Sequence, residues 1–248
     1  MGDNTTYRIR PAGRHLLTIG RDLIQDSYAA VVELVKNAYD ADSPDVEICF
    51  QGPTDKKNFS ITVSDHGHGM SRETVISKWM VPSTKDKLNR KFSPAGRVMQ
   101  GRKGVGRYAA SVLGSALLLE TVSKSGEKTT VYVEWDDFES AEYLDDVEIL
   151  IESEMTTESP CTILSITGEQ TYLEAWNKKQ FDKLRFELKK LVPPINDDTS
   201  IVNSNNDFKI LLSIEDIPNI DKLKENIEPY PIFNLFDYKI TGEINSDG

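Results

Sequence analysis

The sequence predicts an α/β fold in which a mixed, mostly antiparallel sheet carries helices on one face. Three observations support this fold class. Apolar residues recur at helical spacing from residue 19 to residue 41. Two segments, 46–50 and 59–63, then alternate apolar and polar residues as half-buried strands do. A glycine-rich loop, a helix, several strands and another helix follow, an order typical of helices packed on one side of a sheet.

Local signals set the predicted boundaries. The first helix should end at residues 42–44, because the residue before Pro44 resists helical geometry. A short helix is predicted at 71–80, then a polar segment with few packing residues through Gln100. The glycines within residues 101–106 should open a second helix. Further predicted elements are strands near 117–122, 129–135, 147–151, 161–166, 208–216 and 236–248, and an amphipathic helix at 172–191.

The composition is that of a globular chain without a membrane segment. The 248 residues are 38% hydrophobic and 28% charged, which is ordinary for a water-soluble domain. The strongest apolar run, residues 116–119, is far shorter than the roughly 20 residues that span a bilayer. The first residues lack the apolar core of a signal peptide, so we expect a cytoplasmic protein. Cys49 and Cys161 lie in strand-like runs, which favours reduced, half-buried thiols.

Charge is distributed unevenly along the chain. The formal net charge of −11 argues against a broad nucleic-acid-binding face. Residues 85–107, however, contain eight basic residues and one acidic residue, so this window carries +7 and the remainder −18. A solvated charge run is the usual explanation of such a window. Here the window runs into a glycine-rich loop, which favours a polyphosphate partner.

Three polar residues share one face of the first predicted helix. Glu33, Asn37 and Asp40 are spaced by four and three residues within ELVKNAYDAD. The carboxylate of Glu33 can accept a proton from an attacking water, and the oxygen of Asn37 is a neutral hard ligand for Mg²⁺. For these three residues taken alone, a solvated polar stripe is the more common explanation.

Two glycine-containing segments follow. Asp65 opens DHGHGM at a predicted strand end, either as a tight turn or as a site where a flat base approaches the backbone. In the second interpretation Asp65 accepts a hydrogen bond from an exocyclic amine. A metal site at HxH is disfavoured, because His15 is the one other histidine. GRKGVGR, residues 101–107, precedes a helix and can bind phosphate through its N–H groups, although it is not a P-loop.

In order and spacing, four segments resemble the motifs of the GHKL superfamily: type II topoisomerase B subunits, MutL proteins, Hsp90-type chaperones, Morc proteins and histidine-kinase catalytic domains. ELVKNAYDAD resembles the N box, DHGHGM and GRKGVGR the two glycine boxes, and CTILSI, residues 161–166, the final threonine motif. The resemblance covers about residues 20–168 and is nearest in character to MutL, Morc and Hsp90-like ATPases. It implies the two-layer Bergerat sandwich in residues 1–195, with 196–248 starting a transducer-like domain.

The resemblance also implies a role for each motif. It makes Glu33 the general base of ATP hydrolysis and Asn37 the ligand of Mg²⁺. Residues 71–100 would form a lid over ATP, and Thr162 would join the water network around adenine. The chain departs from the family pattern at Cys161, where many relatives have Gly. The implied ATP-binding residues are Asp40, Asp65, Gly67, Gly69, Met70, Lys85, Gly101, Arg102, Lys103, Gly104, Val105, Gly106 and Thr162.

From these implications we expect an ATPase whose nucleotide state closes a lid and drives homodimerisation. Any client or nucleic acid would bind through regions beyond this chain. A histidine kinase is disfavoured, because His15 lies only 18 residues before Glu33 and no dimerisation helix precedes the N box. A non-catalytic nucleotide-binding switch is the alternative, which the presence of Glu33 disfavours.

Overall fold

The computed structural model describes residues 6–24, 26–54, 58–82, 91–101, 106–192 and 208–229. Its strands are β1 (Asp45–Gln51), β2 (Phe59–Asp65), β3 (Ala116–Val122), β4 (Glu127–Glu134), β5 (Ile151–Met155), β6 (Cys161–Gly168), β7 (Lys209–Glu215) and β8 (Leu223–Asn226). In these described ranges they form one eight-stranded sheet in the order β5-β4-β3-β6-β2-β1-β7-β8. Neighbouring strands are antiparallel except for β1 and β7. The sheet is therefore mixed and mostly antiparallel, as predicted.

Helices lie between these strands and before them. They are α1 (His15–Leu23), α2 (Ser27–Asp40), α3 (Arg72–Thr74), α4 (Ala110–Leu113), α5 (Trp135–Ser140), α6 (Gln170–Leu173) and α7 (Lys178–Lys189). A π-helical turn, Val75–Trp79, continues α3, and 3₁₀ turns cover Gly106–Ala109 and Leu144–Asp146. Of the helices in the described ranges, none combines the length and the apolar content that a bilayer crossing needs.

The core lies on one side of the sheet. Val46, Ile48 and Phe50 of β1 are buried, and the residues between them are less so. Val31 and Val35 of α2 are fully buried, and α2 packs on β1 and β2. Burial of each such side chain stabilises the fold by about 1.5–3 kcal/mol. Because this apolar contact fixes the rotation of α2, it also fixes where the helix presents its polar stripe.

The predicted single helix over residues 19–41 is wrong. The chain forms α1 and α2 instead, with Ile24 and Asp26 in extended conformation between them. α1 packs on the Gly106–Ala109 turn so closely that a Cβ added to Gly20 would lie 2.7 Å from the carbonyl oxygen of Tyr108. α2 packs on the sheet. α2 also packs on the Gly106–Ala109 turn, so the two helices share this surface. The extended backbone at Ile24 and Asp26 ends α1 before α2 begins.

Two other predicted elements also differ. The strand expected at 147–151 is β5, Ile151–Met155, whose mostly exposed residues give no apolar alternation and whose pairing with β4 defines it. The helix expected at 172–191 is divided into α6 and α7. The side chain of Asn177 accepts a hydrogen bond from the N–H of Gln180 at 3.2 Å and so caps α7 at its start.

Part of the predicted second unit belongs to this sheet. β7 lies parallel to β1, and Phe208 and Ile210 are buried in the common core. The described part of residues 196–248 therefore packs as one body with the preceding residues, and the division at residue 195 stays a prediction. The strand predicted at 236–248 lies outside the described residues.

Candidate functional site

A cavity of about 460 Å³ lies beside the C-terminal half of α2. Its walls come from α2, β2, β6, the turn after β2, the π-helical turn and the segment before the second glycine loop. The residues that line it are Leu34, Asn37, Asp40, Ala41, Val63, Asp65, His68, Gly69, Met70, Thr74, Lys78, Trp79, Pro94, Met99, Lys124, Thr162 and Leu164. A mostly apolar wall with a few polar groups, at this volume, is typical of a small-molecule site.

The N-box helix supplies the polar stripe of this cavity. Asn37 and Asp40 line it, and Glu33 lies one helical turn before Asn37. A Cβ added to Gly106 would lie 3.3 Å from Oε2 of Glu33 and 3.8 Å from Nδ2 of Asn37. The end of the second glycine loop therefore lies against both polar groups. On its other side, Glu33 accepts a hydrogen bond through Oε1 from Nζ of Lys36 at 2.7 Å.

Asp65 is the last residue of β2 and is only 9% exposed. Its Oδ1 accepts a hydrogen bond from the N–H of Gly67 at 2.8 Å. Burial raises the pKa of Asp65 to about 6, because apolar surroundings disfavour the charged carboxylate, and the Gly67 N–H opposes this effect. Above that pH the side chain is ionised and can only accept hydrogen bonds.

The glycines after Asp65 are packed against the protein's own backbone. A Cβ added to Gly67 would lie 2.6 Å from the carbonyl oxygen of Ala41. Gly69 has a φ of +58°, and its added Cβ would lie 1.8 Å from the carbonyl oxygen of Val122. These glycines therefore let the turn pass between α2 and β3, a requirement that is independent of any ligand.

Threonine hydroxyls connect this turn to β6. The strand register places Asp65, Thr162 and Thr121 side by side on β2, β6 and β3. Thr162 lines the cavity, and Thr121 is fully buried. The oxygens of these two threonines are 3.1 Å apart, and the N–H of Met70 donates to the Thr121 oxygen at 2.9 Å. The predicted Thr162 thus belongs to a network that also contains Thr121, which the sequence did not single out.

Asp40 binds the backbone at the start of the second glycine loop. Its Oδ1 accepts a hydrogen bond from the N–H of Gln100 at 2.7 Å, and its Oδ2 accepts one from Gly101 at 2.9 Å. Asp40 is only 4% exposed, so both bonds lie in surroundings that strengthen them. The structure therefore places Asp40 at the cavity wall with its carboxylate on backbone N–H groups of the protein.

The rest of the segment at residues 91–101 is also fastened to the end of α2. The carboxylate of Asp42 accepts hydrogen bonds from the Ser93 hydroxyl and from the N–H of Ala95. The guanidinium of Arg97 donates to the carbonyl oxygen of Ser43 at 2.6 Å. The prediction of few packing residues through Gln100 is wrong for this part, because buried polar contacts replace the apolar packing that sequence patterns reveal.

A family model described as histidine kinase-, DNA gyrase B-, and HSP90-like ATPase matches residues 25–167, more than half of the chain. The chain belongs to this family. Members of the family bind ATP, and they usually hydrolyse it. The resemblance to GHKL proteins and the α/β sandwich of the Bergerat fold are both confirmed. A search of curated proteins gave no match.

Within this GHKL domain the structure brings many of the predicted site residues together. Asn37, Asp40, Asp65, Met70 and Thr162 lie around one cavity. The predicted residues that fall outside the described part of the chain are Lys85, Arg102, Lys103, Gly104 and Val105. Their roles stay predictions.

Sequence reasoning missed several residues of the GHKL cavity. Lys78 and Trp79 line it from the π-helical turn, and Lys124 lines it from the turn after β3. A π-helical turn changes the phase of a helix, so the period of an ordinary α-helix does not reveal which side faces the cavity. Lys36 carried a signal in its spacing of three residues from Glu33, which is a salt-bridge distance on a helix.

Proposed function

We propose that this chain binds ATP together with Mg²⁺ and hydrolyses the nucleotide to ADP and phosphate. The observation that carries the proposal is that α2 links two chemically different places. Ala41, at its C-terminal end, lies beside Gly67 and Asp65, and Glu33 lies beside Gly106 of the second glycine loop. The helical rise between Ala41 and Glu33 is about 12 Å, so one extended ligand can meet both places.

The place beside Asp65 suits adenine. The buried carboxylate accepts hydrogen bonds and can bind the exocyclic amine of the base. Met70, Leu164 and Met99 add apolar and polarisable surface to the cavity around it. Guanine carries an oxygen at the position of that amine, so the same carboxylate would repel it.

The place beside Gly106 suits the phosphates and the reaction. We assign to Glu33 the removal of a proton from the water that attacks the γ-phosphorus, since a carboxylate can serve as general base. The N–H groups of Gly104 and Gly106 are assigned to phosphate oxygens. Gly101, whose N–H donates to Asp40, is assigned to the start of the loop that lines the phosphates. The position of Gly106 supports this assignment, because a Cβ added to it would lie 3.3 Å from Oε2 of Glu33.

The donor set fits one magnesium ion held mainly by the nucleotide. Asn37 lies beside Gly106 through its Nδ2 and carries a neutral amide oxygen, which is the atom that can bind the ion. In the described part of the chain there is no group of three or more His, Cys, Asp or Glu residues that could hold a metal. Mg²⁺ at nucleotide sites commonly takes one or two protein ligands and completes its shell with phosphates and water. When bound, the ion would offset the negative charge of the phosphates.

Nucleotide-driven closure and dimerisation are part of the proposal. Residues 71–100 are assigned to a lid, and its last part, residues 91–100, is fastened to the end of α2. ATP would select the closed form by contacting lid and loop together. The closed form would associate as a homodimer and act on a downstream region.

One observation favours a second candidate function, a nucleotide-binding switch without hydrolysis. Lys36 donates to Oε1 of Glu33, so one oxygen of the proposed base is engaged in an ion pair. If Glu33 stayed in this ion pair throughout the nucleotide cycle, the protein would bind the nucleotide without hydrolysing it.

Glu33→Ala tests the two candidates. We expect it to keep ATP affinity within a few-fold and to lose about 10²–10⁴-fold in phosphate release, since a general base acts in the transition state. Glu47→Ala is the matched control, because Glu47 is exposed on β1 and does not line the cavity. Equal turnover in wild type and Glu33→Ala would remove Glu33 from its role, and binding without turnover in wild type would favour the switch.

A further inference from the structure

A row of polar side chains crosses the sheet beside the cavity. The strand register aligns Asp65 of β2, Thr162 of β6, Thr121 of β3 and Thr129 of β4. Asp65 and Thr162 line the cavity, whereas Thr121 and Thr129 are fully buried. Thr121 therefore contacts a residue that can touch a ligand while being covered itself.

The other hydrogen bonds of Thr121 favour one direction for its bond to Thr162, in which distance alone would let either hydroxyl donate. A threonine hydroxyl has one proton and two lone pairs. Thr121 donates its proton to the carbonyl oxygen of Cys161 at 2.9 Å and accepts the N–H of Met70 at 2.9 Å. The remaining contact, to the Thr162 oxygen at 3.1 Å, then uses the second lone pair of Thr121. Thr162 is thus the donor in that bond.

The next residue in the row does not change this count. The hydroxyl oxygen of Thr129 is buried and has no hydrogen-bond partner among the described residues. It therefore neither supplies a proton to Thr121 nor takes one from it. With its own proton directed to Thr121, Thr162 offers only lone pairs to the cavity.

We infer that Thr121 is a specificity-determining residue that makes Thr162 a hydrogen-bond acceptor, so that Asp65 and Thr162 together select the 6-amino group of a purine. This inference rests on the proposed binding of ATP. An amine has two N–H groups and can donate to acceptors on neighbouring strands. A 6-oxopurine would place an oxygen against two acceptors. Thr121 acts through Thr162 and is a positioning residue.

The test compares ATP with ITP, which carries oxygen in place of the 6-amino group. Dissociation constants with Mg²⁺ are measured by calorimetry for wild type, Thr121→Val and Thr121→Ser. In Thr121→Val the Thr162 hydroxyl can turn and donate to the oxygen of ITP, so the ratio of the ITP to the ATP constant should fall about tenfold. Thr121→Ser keeps the hydroxyl and should keep the wild-type ratio. An unchanged ratio in folded Thr121→Val would overturn the inference.

Two further variants separate a positioning role from a structural one. Thr129→Val makes the same chemical change one strand away and should leave the ratio unchanged. Adding Thr121→Val to Thr162→Val should also leave the ratio of the single Thr162 variant unchanged, because Thr121 acts through Thr162. A shift in the double variant as large as in Thr121→Val alone would contradict the inference.

A second measurement needs no variant of Thr121, whose loss leaves the Met70 N–H without its acceptor. ATP and purine riboside triphosphate, which lacks the 6-amino group, are compared in wild type and Thr162→Val. If Thr162 accepts from the amine, Thr162→Val weakens ATP about threefold to tenfold more than the purine nucleotide. Equal weakening means that Thr162 does not bind the 6-amino group and overturns the inference. Failure of wild type to bind ATP would instead overturn the proposed function.

Discussion

At the scale of a single residue, stability of the fold and binding of adenine place opposite demands on Asp65. Burial raises its pKa from 3.8 to about 6, so the nucleotide-free fold disfavours the charged form that the adenine amine needs. Below pH 3.8 the group is protonated in folded and unfolded chains alike and costs nothing. Between pH 3.8 and about 6 the unfolded chain has released this proton while the folded chain still holds it, so the free energy of unfolding falls by up to about 3 kcal/mol and stays at that lower value above pH 6.

Asp65→Asn should therefore separate stability from binding. The amide cannot ionise, so we expect the nucleotide-free variant to gain more thermal stability over wild type at pH 8 than at pH 4.5. At pH 8 the same variant should bind ATP and ADP alike more weakly, by about 1–3 kcal/mol, because an NH₂ can replace an acceptor. Thermal unfolding and calorimetry measure the two effects. A stability difference that does not depend on pH would contradict the buried, ionised carboxylate.

Gly69 makes a second prediction at this scale, with Gly96 as its matched control. Both have positive φ, +58° and +88°, so a Cβ costs each about 1–2 kcal/mol of backbone strain. The Gly69 Cβ would lie 1.8 Å from the Val122 oxygen, whereas that of Gly96 has nothing within 4 Å. We expect Gly69→Ala to lower the free energy of unfolding by at least about 2 kcal/mol more than Gly96→Ala. Equal losses in urea titrations would mean that the turn is free to move.

At the scale of elements, the proposed lid has two parts that differ in how they are held. One part lies in the 91–101 segment, and the other part precedes it. The contacts of the 91–101 segment with Asp40, Asp42 and Ser43 hold it to the end of α2 without any ligand. Hydrogen exchange should therefore show protection of residues 91–101 in the nucleotide-free protein. Protection that depends on a triphosphate is expected in the part of the lid before residue 91. The hydrogen bond to Asp40 fixes the position of Gly101, where the proposed phosphate-binding loop begins.

Asp40→Asn tests whether these hydrogen bonds position the loop for ATP. The N–H groups of Gln100 and Gly101 meet different oxygens of Asp40, and in Asn one of these positions becomes an NH₂, which donates and does not accept. We expect faster exchange at those two amides and about tenfold weaker binding of ATP, with adenosine changed less than about threefold. Glu47→Gln, on the exposed side of β1, is the matched control. If adenosine weakened as much as ATP, Asp40 would serve the whole cavity and not the phosphate loop.

The elements also show how far the sequence reaches. Strands with apolar alternation, such as β1 and β2, were predicted closely, because one buried face imposes a period of two. The break between α1 and α2 was not, since Ile24, which is extended there, is itself one of the apolar residues at helical spacing. In the site, the spacing of Glu33, Asn37 and Asp40 predicted their common face. Thr121 could not be recognised from the sequence, because threonine is common in strands. Only the strand register shows that it lies next to Thr162.

On the scale of the whole molecule, net charge opposes association. Each chain carries a formal charge of −11, so two copies repel one another. Salt screens this repulsion, with a Debye length of about 8 Å at physiological ionic strength. Salt has the opposite effect on nucleotide binding to a single chain. The +7 window at residues 85–107 attracts a polyphosphate, and salt weakens that attraction.

We therefore expect a nucleotide-free chain that is mainly monomeric and that dimerises with a non-hydrolysable ATP analogue at saturating concentration, more completely at 300 mM than at about 50 mM salt. ADP should give little dimer, because the basic window gains most from the more highly charged ligand. Light scattering reports the mass in each case. Glu33→Ala supplies an internal control, since ATP that is bound and not hydrolysed should hold the dimer, whereas wild type should return to monomer as ADP accumulates. The same mass with ADP and with the analogue would contradict nucleotide-driven association and favour passive binding.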